Sequence, residues 1–491
     1  MAFQTNRVVE GFPADVLVEL RPADRGRGVR EQLEQGLRTA IQSDRLRPGT
    51  PMPATRVLAA ELGVSRSVVV EAYGNLAADG YLDARQGSGT RVRLRTSRTV
   101  QAPPSPRTDP DRGFFERPYT AAPAGTAPLR LLGGLPDPAL FPRERWVRHY
   151  RAALAELPDA GLAYPGSLGA PALREQLAAY LGRVRGVFTV PERMLVCTGF
   201  TQGVSLVCRA LGRAGATRVA VEDPCFAMHR TAIAMTGVEP VPVPVDEGGI
   251  DLAALAREPD IAAVVVAPAH SYPAGTTLDA GRRRELLAWA RNHDALLIED
   301  DYDAEFRYDR TPIGALQGLA PERVAYIGGA SKTFTPALRL GWIALPPDLA
   351  GAVEREKRFH DMGSPLLEQL AFARFLASGD FARHLRRVRP IYRARRDATL
   401  DAVSQYLPDV EWQGEAAGLH LHVLLPADVD AHALAQAALA RGLMVENGAW
   451  HWADPATAPP SLVLGYSAAP EAAIRRGVAV LGQALEAVRG A

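Results

Sequence analysis

Fifty-six basic side chains occur in the chain, and all but Lys332 and Lys357 are arginines. Lys332 follows the apolar run VAYI and two glycines, stands between the hydroxyl residues Ser331 and Thr333, and has Arg339 seven positions on. A lysine kept in such a setting points to chemistry a guanidinium cannot do. A primary amine beside apolar walls loses its proton more readily and becomes a nucleophile toward an aldehyde. About thirty residues upstream, ALLIEDDYDAEF reads as a buried strand, 295–298, delivering Glu299, Asp300, Asp301 and Tyr302 at its carboxyl end. Open α/β sheets place their ligand crevice there. Acids at that point can bind a metal or hold a cationic ring nitrogen.

Three further stretches precede these in fixed order. The strand MLVCTG runs into Gly199, Phe200, Thr201, Gln202 and Gly203 and then a helix, VSLVCRAL. A glycine-containing turn opening a helix offers free N–H groups and a positive dipole end to a phosphate. In VEDPCFAMHR, Phe226 follows a strand and a proline turn, a suitable perch for a ring stacked on a planar cofactor. APAHSYPAG places His270 and Tyr272 at the end of the longest apolar strand. An amine, an acid for a ring nitrogen, a phosphate turn and a stacking ring together suit pyridoxal phosphate, whose ring becomes an electron sink when a carboxylate keeps its nitrogen protonated. Asn447 to Trp452 add two aromatics and a histidine, either lining a ligand mouth or forming a surface loop.

The elements that must position these residues show in the same stretch of chain. From Leu129 onward, MLVCTG, RVAVED, EPVPVPV, IAAVVVAPA, ALLIED and RVAYIGG alternate with helical patterns, which predicts a doubly wound, mostly parallel α/β sheet. After about Leu370 long Arg/Ala/Leu helices and the strand-like GLHLHVLL and SLVLGYS predict a smaller α+β lobe.

The amino-terminal part has a different texture. Residues 13–20 read as a short strand or arm, and Gly28 to Ser43 as an amphipathic helix with Val29, Leu33, Leu37, Ala40 and Ile41 on one face. Thr55 is expected to cap a short helix ending at Gly63, and Ser65 to cap a second ending at Gly80. Two short helices joined by a three-residue turn make a helix-turn-helix whose second helix offers Arg66 and Ser67 to a DNA major groove. YLDARQGSGTRVRL then reads as a two-stranded wing carrying Arg85, Arg91 and Arg93, the alternative being a plain helical bundle with a stray hairpin. Residues 96–128, rich in Pro, Ala, Arg and Thr, read as a linker.

Composition sets bounds. A chain of 491 residues, 47% hydrophobic, can bury more than one core. The net charge of +1 excludes a strongly basic nucleic-acid coat, although residues 1–95 hold 14 Arg against 11 acids. Cys197, Cys208 and Cys225 show neither metal-ligand spacing nor a disulfide framework, so a cytoplasmic protein is expected. No metal is expected, and no apolar run suits a bilayer.

Residues 48–92, PGTPMPATRVLAAELGVSRSVVVEAYGNLAADGYLDARQGSGTRV, resemble the winged-helix domain of GntR-type bacterial regulators. The resemblance implies that Thr55, Arg56, Ser65, Arg66 and Ser67 touch DNA, and that Arg85, Gly87 and Gly89 belong to the wing. From Leu129 to Leu485 the motif order is similar to that of fold-type I pyridoxal phosphate enzymes of the aspartate aminotransferase family. The whole chain thus resembles the MocR subfamily: a winged helix at 13–95, a linker at 96–128 and an aminotransferase-like domain at 129–491. The match implies that Lys332 forms the internal aldimine, Asp300 pairs with the pyridine nitrogen, Tyr302 bonds the ring phenolate and Phe226 stacks on the ring. Gly199, Phe200, Thr201 and Arg339 would hold the phosphate, and Tyr164 would reach the site of a partner in a homodimer. Two departures stand out. Gly329 replaces a frequent hydroxyl, and Val463 takes the place of the arginine that clamps a substrate carboxylate in amino-acid aminotransferases.

The expectation is therefore a regulator that binds operator DNA and responds to a small amine, an amino-acid-like effector or pyridoxal phosphate itself. The competing reading is a working aminotransferase with a regulatory appendage.

Overall fold

The computed structural model describes residues 28–85, 89–93, 129–308, 313–414 and 416–490. They form two compact units divided between residues 120 and 121. No helix among the described residues is long and apolar enough to cross a membrane. The expected arm at 13–20 and the linker at 96–128 lie outside them.

In the first unit, helices α1 (Val29–Gln42), α2 (Thr55–Leu62) and α3 (Arg66–Ala78) precede strands β1 (Leu82–Arg85) and β2 (Gly89–Val92). The predicted stripe is the buried one: Leu33, Leu37, Ala40 and Ile41 pack with Leu58, Val69 and Leu76, whereas Val29 is half-buried. The capping expectations need correction. Ala54 occupies the cap of α2, with Thr55 as its first helical residue, and Ser65 caps α3 by position without a side-chain bond to the helix. The Ser65 hydroxyl instead bonds Ser67 Oγ at 2.8 Å. Gly63 does close α2 in the left-handed conformation. Strands β1 and β2 pair antiparallel from Leu82↔Val92 to Arg85↔Gly89.

The second unit carries β3 (Leu129–Arg130), β4 (Met194–Cys197), β5 (Arg218–Asp223), β6 (Glu239–Asp246), β7 (Gly249–Ile250), β8 (Ile261–Val266), β9 (Leu296–Asp301), β10 (Val324–Gly329) and β11 (Gly341–Ala344). It continues with β12 (Glu411–Gln413), β13 (His420–Leu424), β14 (Leu443–Met444), β15 (Glu446–Asn447) and β16 (Ser461–Gly465). The large sheet runs β4-β11-β10-β9-β8-β5-β6-β7. All six predicted strands are in it. Their neighbours from β10 to β6 are parallel, as expected, while β11, read in sequence only as the tail of the lysine segment, inserts antiparallel between β4 and β10. Strands buried on both faces, such as β4, β8 and β10, account for the continuous apolar runs.

The smaller lobe is a four-stranded sheet, β12-β13-β16-β15, flanked by the helices Asp380–Tyr406 and Glu471–Arg489. It recruits the start of the body: β3 pairs with β14, and Leu131 joins the lobe core. That crossing carries Gly133 and Gly134 back toward the large sheet.

Candidate functional site

The carboxyl ends of β9 and β10 set the site. Strand β9 ends in the buried Asp300 and Asp301, and the turn after it holds Tyr302 and Asp303. Strand β10 ends at Gly329 and opens a one-turn helix, Ala330–Thr333, that presents Lys332. The Lys332 Nζ lies 3.0 Å from the position a Cβ on Gly134 would occupy, so only glycine leaves that approach open. Burial lowers the Lys332 pKa, and Asp303, Asp300 and Glu446 pull against that shift. Among the described residues no hydrogen bond ties Nζ to these acids.

Asp300 is held up well above the usual carboxylate range, first by burial and then by Asp301 and Asp303. Its Oδ1 is buried without a hydrogen-bond partner, and its Oδ2 lies 3.5 Å from His229 Nε2. The second acid of the pair has a structural role: Asp301 takes Arg185 through two nitrogens, at 2.7 and 3.2 Å, and accepts from Tyr326. Glu299 accepts from the amides of Leu316 and Gln317 at 2.8 and 2.9 Å. Sequence pattern alone could not assign these four neighbours their separate duties.

Tyr302 Oη lies 2.9 Å from His270 Nδ1, which lies 3.0 Å from Asp303 Oδ2. Burial, with Asp303 next, raises the Tyr302 pKa and keeps its phenol a donor. His270, Asp303 and His420 are all buried and bring metal-type ligand atoms within 4.8 Å of one another. His270 Nδ1 is already engaged by Tyr302 and Asp303, while His420 Nε2 bonds the Pro273 carbonyl at 3.1 Å.

The glycine turn read in sequence as a phosphate turn lies where β4 enters the helix Phe200–Arg213. Gly199 has φ 127°, a backbone conformation that suits glycine, and a Cβ there would stand 3.6 Å from the Arg339 guanidinium. Arg339 itself has φ 49° and ψ 48°, left-handed backbone that costs a residue with a Cβ about 1–2 kcal/mol. Such an outlier marks a residue whose placement matters. Phe200 and Thr201 are half-buried in the first turn.

Phe226 is half-buried and meets Tyr272 edge-on at 5.6 Å and His451 in a stacked arrangement at 6.1 Å. Together with His229, Tyr272 and Asp300 it lines one cavity. Asp300 acts electrostatically on both Lys332 and Tyr302, Arg339 acts on Lys332, and Arg339 faces Gly199. Tyr164 does not join them: it is 84% exposed on a separate face, beside Met362 and Pro365.

Four participants were missed in sequence. His229 follows Phe226 at helical spacing, a signal that was present. Gly133 and Gly134 lie in an unassigned stretch. Glu446 sits in a two-residue strand with no local cue. Its carboxylate accepts from Tyr272 Oη at 2.9 Å and pairs with His451 Nε2 at 3.0 Å.

In the winged unit Arg56, Ser65, Arg66, Ser67 and Gly89 are exposed, and Thr55 is half-buried. Arg91 also spends one nitrogen on Gly49 O, at 3.1 Å. Gly87 and the side chain of Arg85 lie outside the described residues.

The crevice fits pyridoxal phosphate on its own terms. A buried carboxylate oxygen has no hydrogen-bond donor, a half-buried amine stands over a glycine, and an arginine faces a helix start.

Comparisons with known proteins agree. Residues 141–473 match the family "Aminotransferase class I and II", and residues 29–92 match "Bacterial regulatory proteins, gntR family". The chain is 33% identical to the HTH-type pyridoxine biosynthesis transcriptional regulator PdxR of Corynebacterium glutamicum, over 96% of this chain and 99% of that one. It is 30% identical to the probable rhizopine catabolism regulatory protein MocR of Rhizobium meliloti, over 93% and 94%. Among solved structures, the α-aminoadipate aminotransferase LysN of Thermus thermophilus, complexed with N-(5'-phosphopyridoxyl)-L-leucine, superposes with a TM-score of 0.67 at 26% identity. That match covers 74% of this chain and 93% of that one.

Proposed function

The chain belongs to the MocR-type GntR regulators, with an aminotransferase class I and II body, and on that premise we propose that occupancy at Lys332 controls operator binding by the winged helix. Its cofactor is pyridoxal phosphate, which when bound supplies an aldehyde for primary amines and a ring that withdraws electrons.

The observation that carries the reading is a half-buried amine whose pKa is lowered, close to a buried acid one of whose oxygens lacks a hydrogen-bond partner. Lys332, its pKa lowered, offers a neutral amine at a pH where an ordinary lysine is charged. Asp300, its pKa raised by burial and by Asp301 and Asp303, would pair with a ring nitrogen and keep it protonated. Tyr302, oriented by His270, would donate to a phenolate oxygen. Phe226 would cover one ring face. The amides of Gly199, Phe200 and Thr201 and the Arg339 fork would hold the phosphate.

The controlling ligand in this reading is a small amine, an amino-acid-like effector or pyridoxal phosphate itself. Two copies would act together, Tyr164 of each serving the partner's phosphate, which agrees with its exposure here. Thr55, Arg56, Ser65, Arg66 and Ser67 would meet DNA, with Arg85, Gly87 and Gly89 in the wing.

The test is paired. Purified full-length protein is titrated with pyridoxal phosphate while its visible absorbance and its affinity for the DNA upstream of its own gene are followed. A bound-cofactor band that rises together with a change in DNA affinity supports the reading. A band with no change in DNA affinity overturns it. Conversion of the band to the aminated cofactor by an amine donor, reversed by a keto acid, would bring the aminotransferase reading forward.

A further inference from the structure

Building on that reading of Lys332, we propose that Glu446 selects the ligand: the site takes an amine carrying a second cationic group, such as a diamine, in preference to one carrying a carboxylate.

Glu446 stands directly opposite Val463 in the register of β15 and β16, so both side chains leave the same face of the sheet. That face meets Gly133. A Cβ on Gly133 would lie 2.4 Å from Tyr272 Oη, 3.0 Å from Val463 Cγ1 and 3.3 Å from Glu446 Oε2. The next residue, Gly134, is the one against which Lys332 Nζ rests. The carboxylate and the reactive amine thus flank adjacent glycines, and Lys332 feels the charge of Glu446.

The surroundings of Glu446 leave its charge uncompensated by any permanent cation. It is buried and accepts from Tyr272 Oη at 2.9 Å and the Gly133 amide at 3.4 Å, and it pairs with His451 Nε2 at 3.0 Å. No Lys or Arg salt bridge reaches it among the described residues. A carboxylate has about four acceptor positions, so one remains. His451, donating through Nε2, is left with a buried Nδ1 that has no partner. One acceptor on Glu446 and one on His451 suit an ammonium, which brings three donors. Phe226 and Tyr272 add ring faces that tolerate a cation. A ligand carboxylate would meet Glu446 as a like charge in a dry setting, where repulsion is poorly screened.

The experiment compares three amines of equal chain length on the cofactor-loaded full-length protein: 1,4-diaminobutane, butylamine and 4-aminobutanoate. Binding is read by the shift of the visible band and by calorimetry. The diamine should bind at least about tenfold tighter than butylamine, with 4-aminobutanoate weakest. Glu446→Gln should bring diamine and butylamine to within about threefold of each other, and adding Val463→Arg should raise 4-aminobutanoate above both. Should the variants lose the cofactor band, the ranking on unaltered protein decides alone. Binding of butylamine or 4-aminobutanoate as tight as the diamine overturns the assignment to Glu446 while leaving amine sensing intact. No response to any of the three, with the cofactor band present, overturns amine sensing and this inference with it.

Discussion

His229 Nε2 stands 3.5 Å from Asp300 Oδ2, while Oδ1 of the same buried carboxyl accepts no hydrogen bond. Burial pushes His229 down to about 3, so a neutral imidazole faces the acid. Asp300 is raised well above its usual range by burial and by Asp301 and Asp303. Asp300 can therefore hand a proton to a basic ring nitrogen and become its charged partner.

Asp300→Asn keeps the shape and loses that charge. Pyridoxal phosphate affinity, measured by absorbance titration, should fall about 10- to 100-fold, the worth of one charge-assisted hydrogen bond. The sign for stability is opposite. An acid with a raised folded pKa keeps a proton the unfolded chain has released, so stability falls as pH rises from about 4 toward the folded pKa. Cofactor-free Asp300→Asn should lose less stability than the unaltered protein between pH 5 and about 8, as read by urea midpoints.

Lys332→Met should abolish the bound-cofactor band and make DNA affinity indifferent to pyridoxal phosphate in a band-and-mobility comparison. Because the folded Lys332 pKa is lowered, the unfolded chain binds a proton that the folded one resists. The penalty is full below the folded pKa and vanishes as pH rises through that value toward about 10.4. The cofactor-free methionine variant should therefore be the more stable protein at neutral pH, with the difference shrinking at alkaline pH.

Arg339→Lys replaces a planar fork with a point charge at the helix start. Affinity for pyridoxal phosphate should drop about tenfold, whereas affinity for pyridoxal, which lacks the phosphate, should stay unchanged. Equal losses for both would show that Arg339 shapes the turn without holding the phosphate.

Arg66→Ala should weaken DNA binding and, if it removes one phosphate contact, reduce the slope of log affinity against log salt by about one. Arg66 is exposed at the first turn of α3, so the unfolding midpoint should not move.

Lys357 is the other lysine of the chain, fully buried, with its three donors directed to Asp361 at 2.6 Å, Ser364 at 2.8 Å and Gln202 at 3.1 Å. Gln202 Oε1 also accepts from the Thr198 amide at 2.9 Å, which pins the phosphate turn. Lys357→Met should cost about 2–4 kcal/mol, since it strands buried polar partners. A shift of the urea midpoint would record it, and Lys357→Arg should not rescue, because a guanidinium has no room for three convergent acceptors.

Local order carries much of this. Lys332, Asp300, Tyr302 and Phe226 could be proposed from the sequence because each sits at or just after the end of an apolar strand, and strand ends are written in contiguous residues; Arg339, in the turn before β11, rested on its spacing from Lys332 and on the family resemblance. The six large-sheet strands and the helices α1 to α3 were legible for the same reason, since periodicity is a local property. Cap identity failed at Thr55, where one residue of offset puts Ala54 in the cap, whereas Ser65 holds the cap position without a side-chain cap bond. Tyr164 was expected to serve a partner's site, and within one chain it is exposed, so a single chain does not decide its role.

By itself the sequence determined the order of chemical groups along the chain: a winged reader, a phosphate turn, an acid and a lysine. Only the tertiary structure decided which of four consecutive acids and phenols stays unpartnered, and that Glu446 faces Tyr272 across 174 positions of chain. The reason is the register of β15 against β16 and the return of β3 through the small lobe. Both are set by packing between distant segments, and a buried carboxylate has no pattern in its own neighbourhood to announce it.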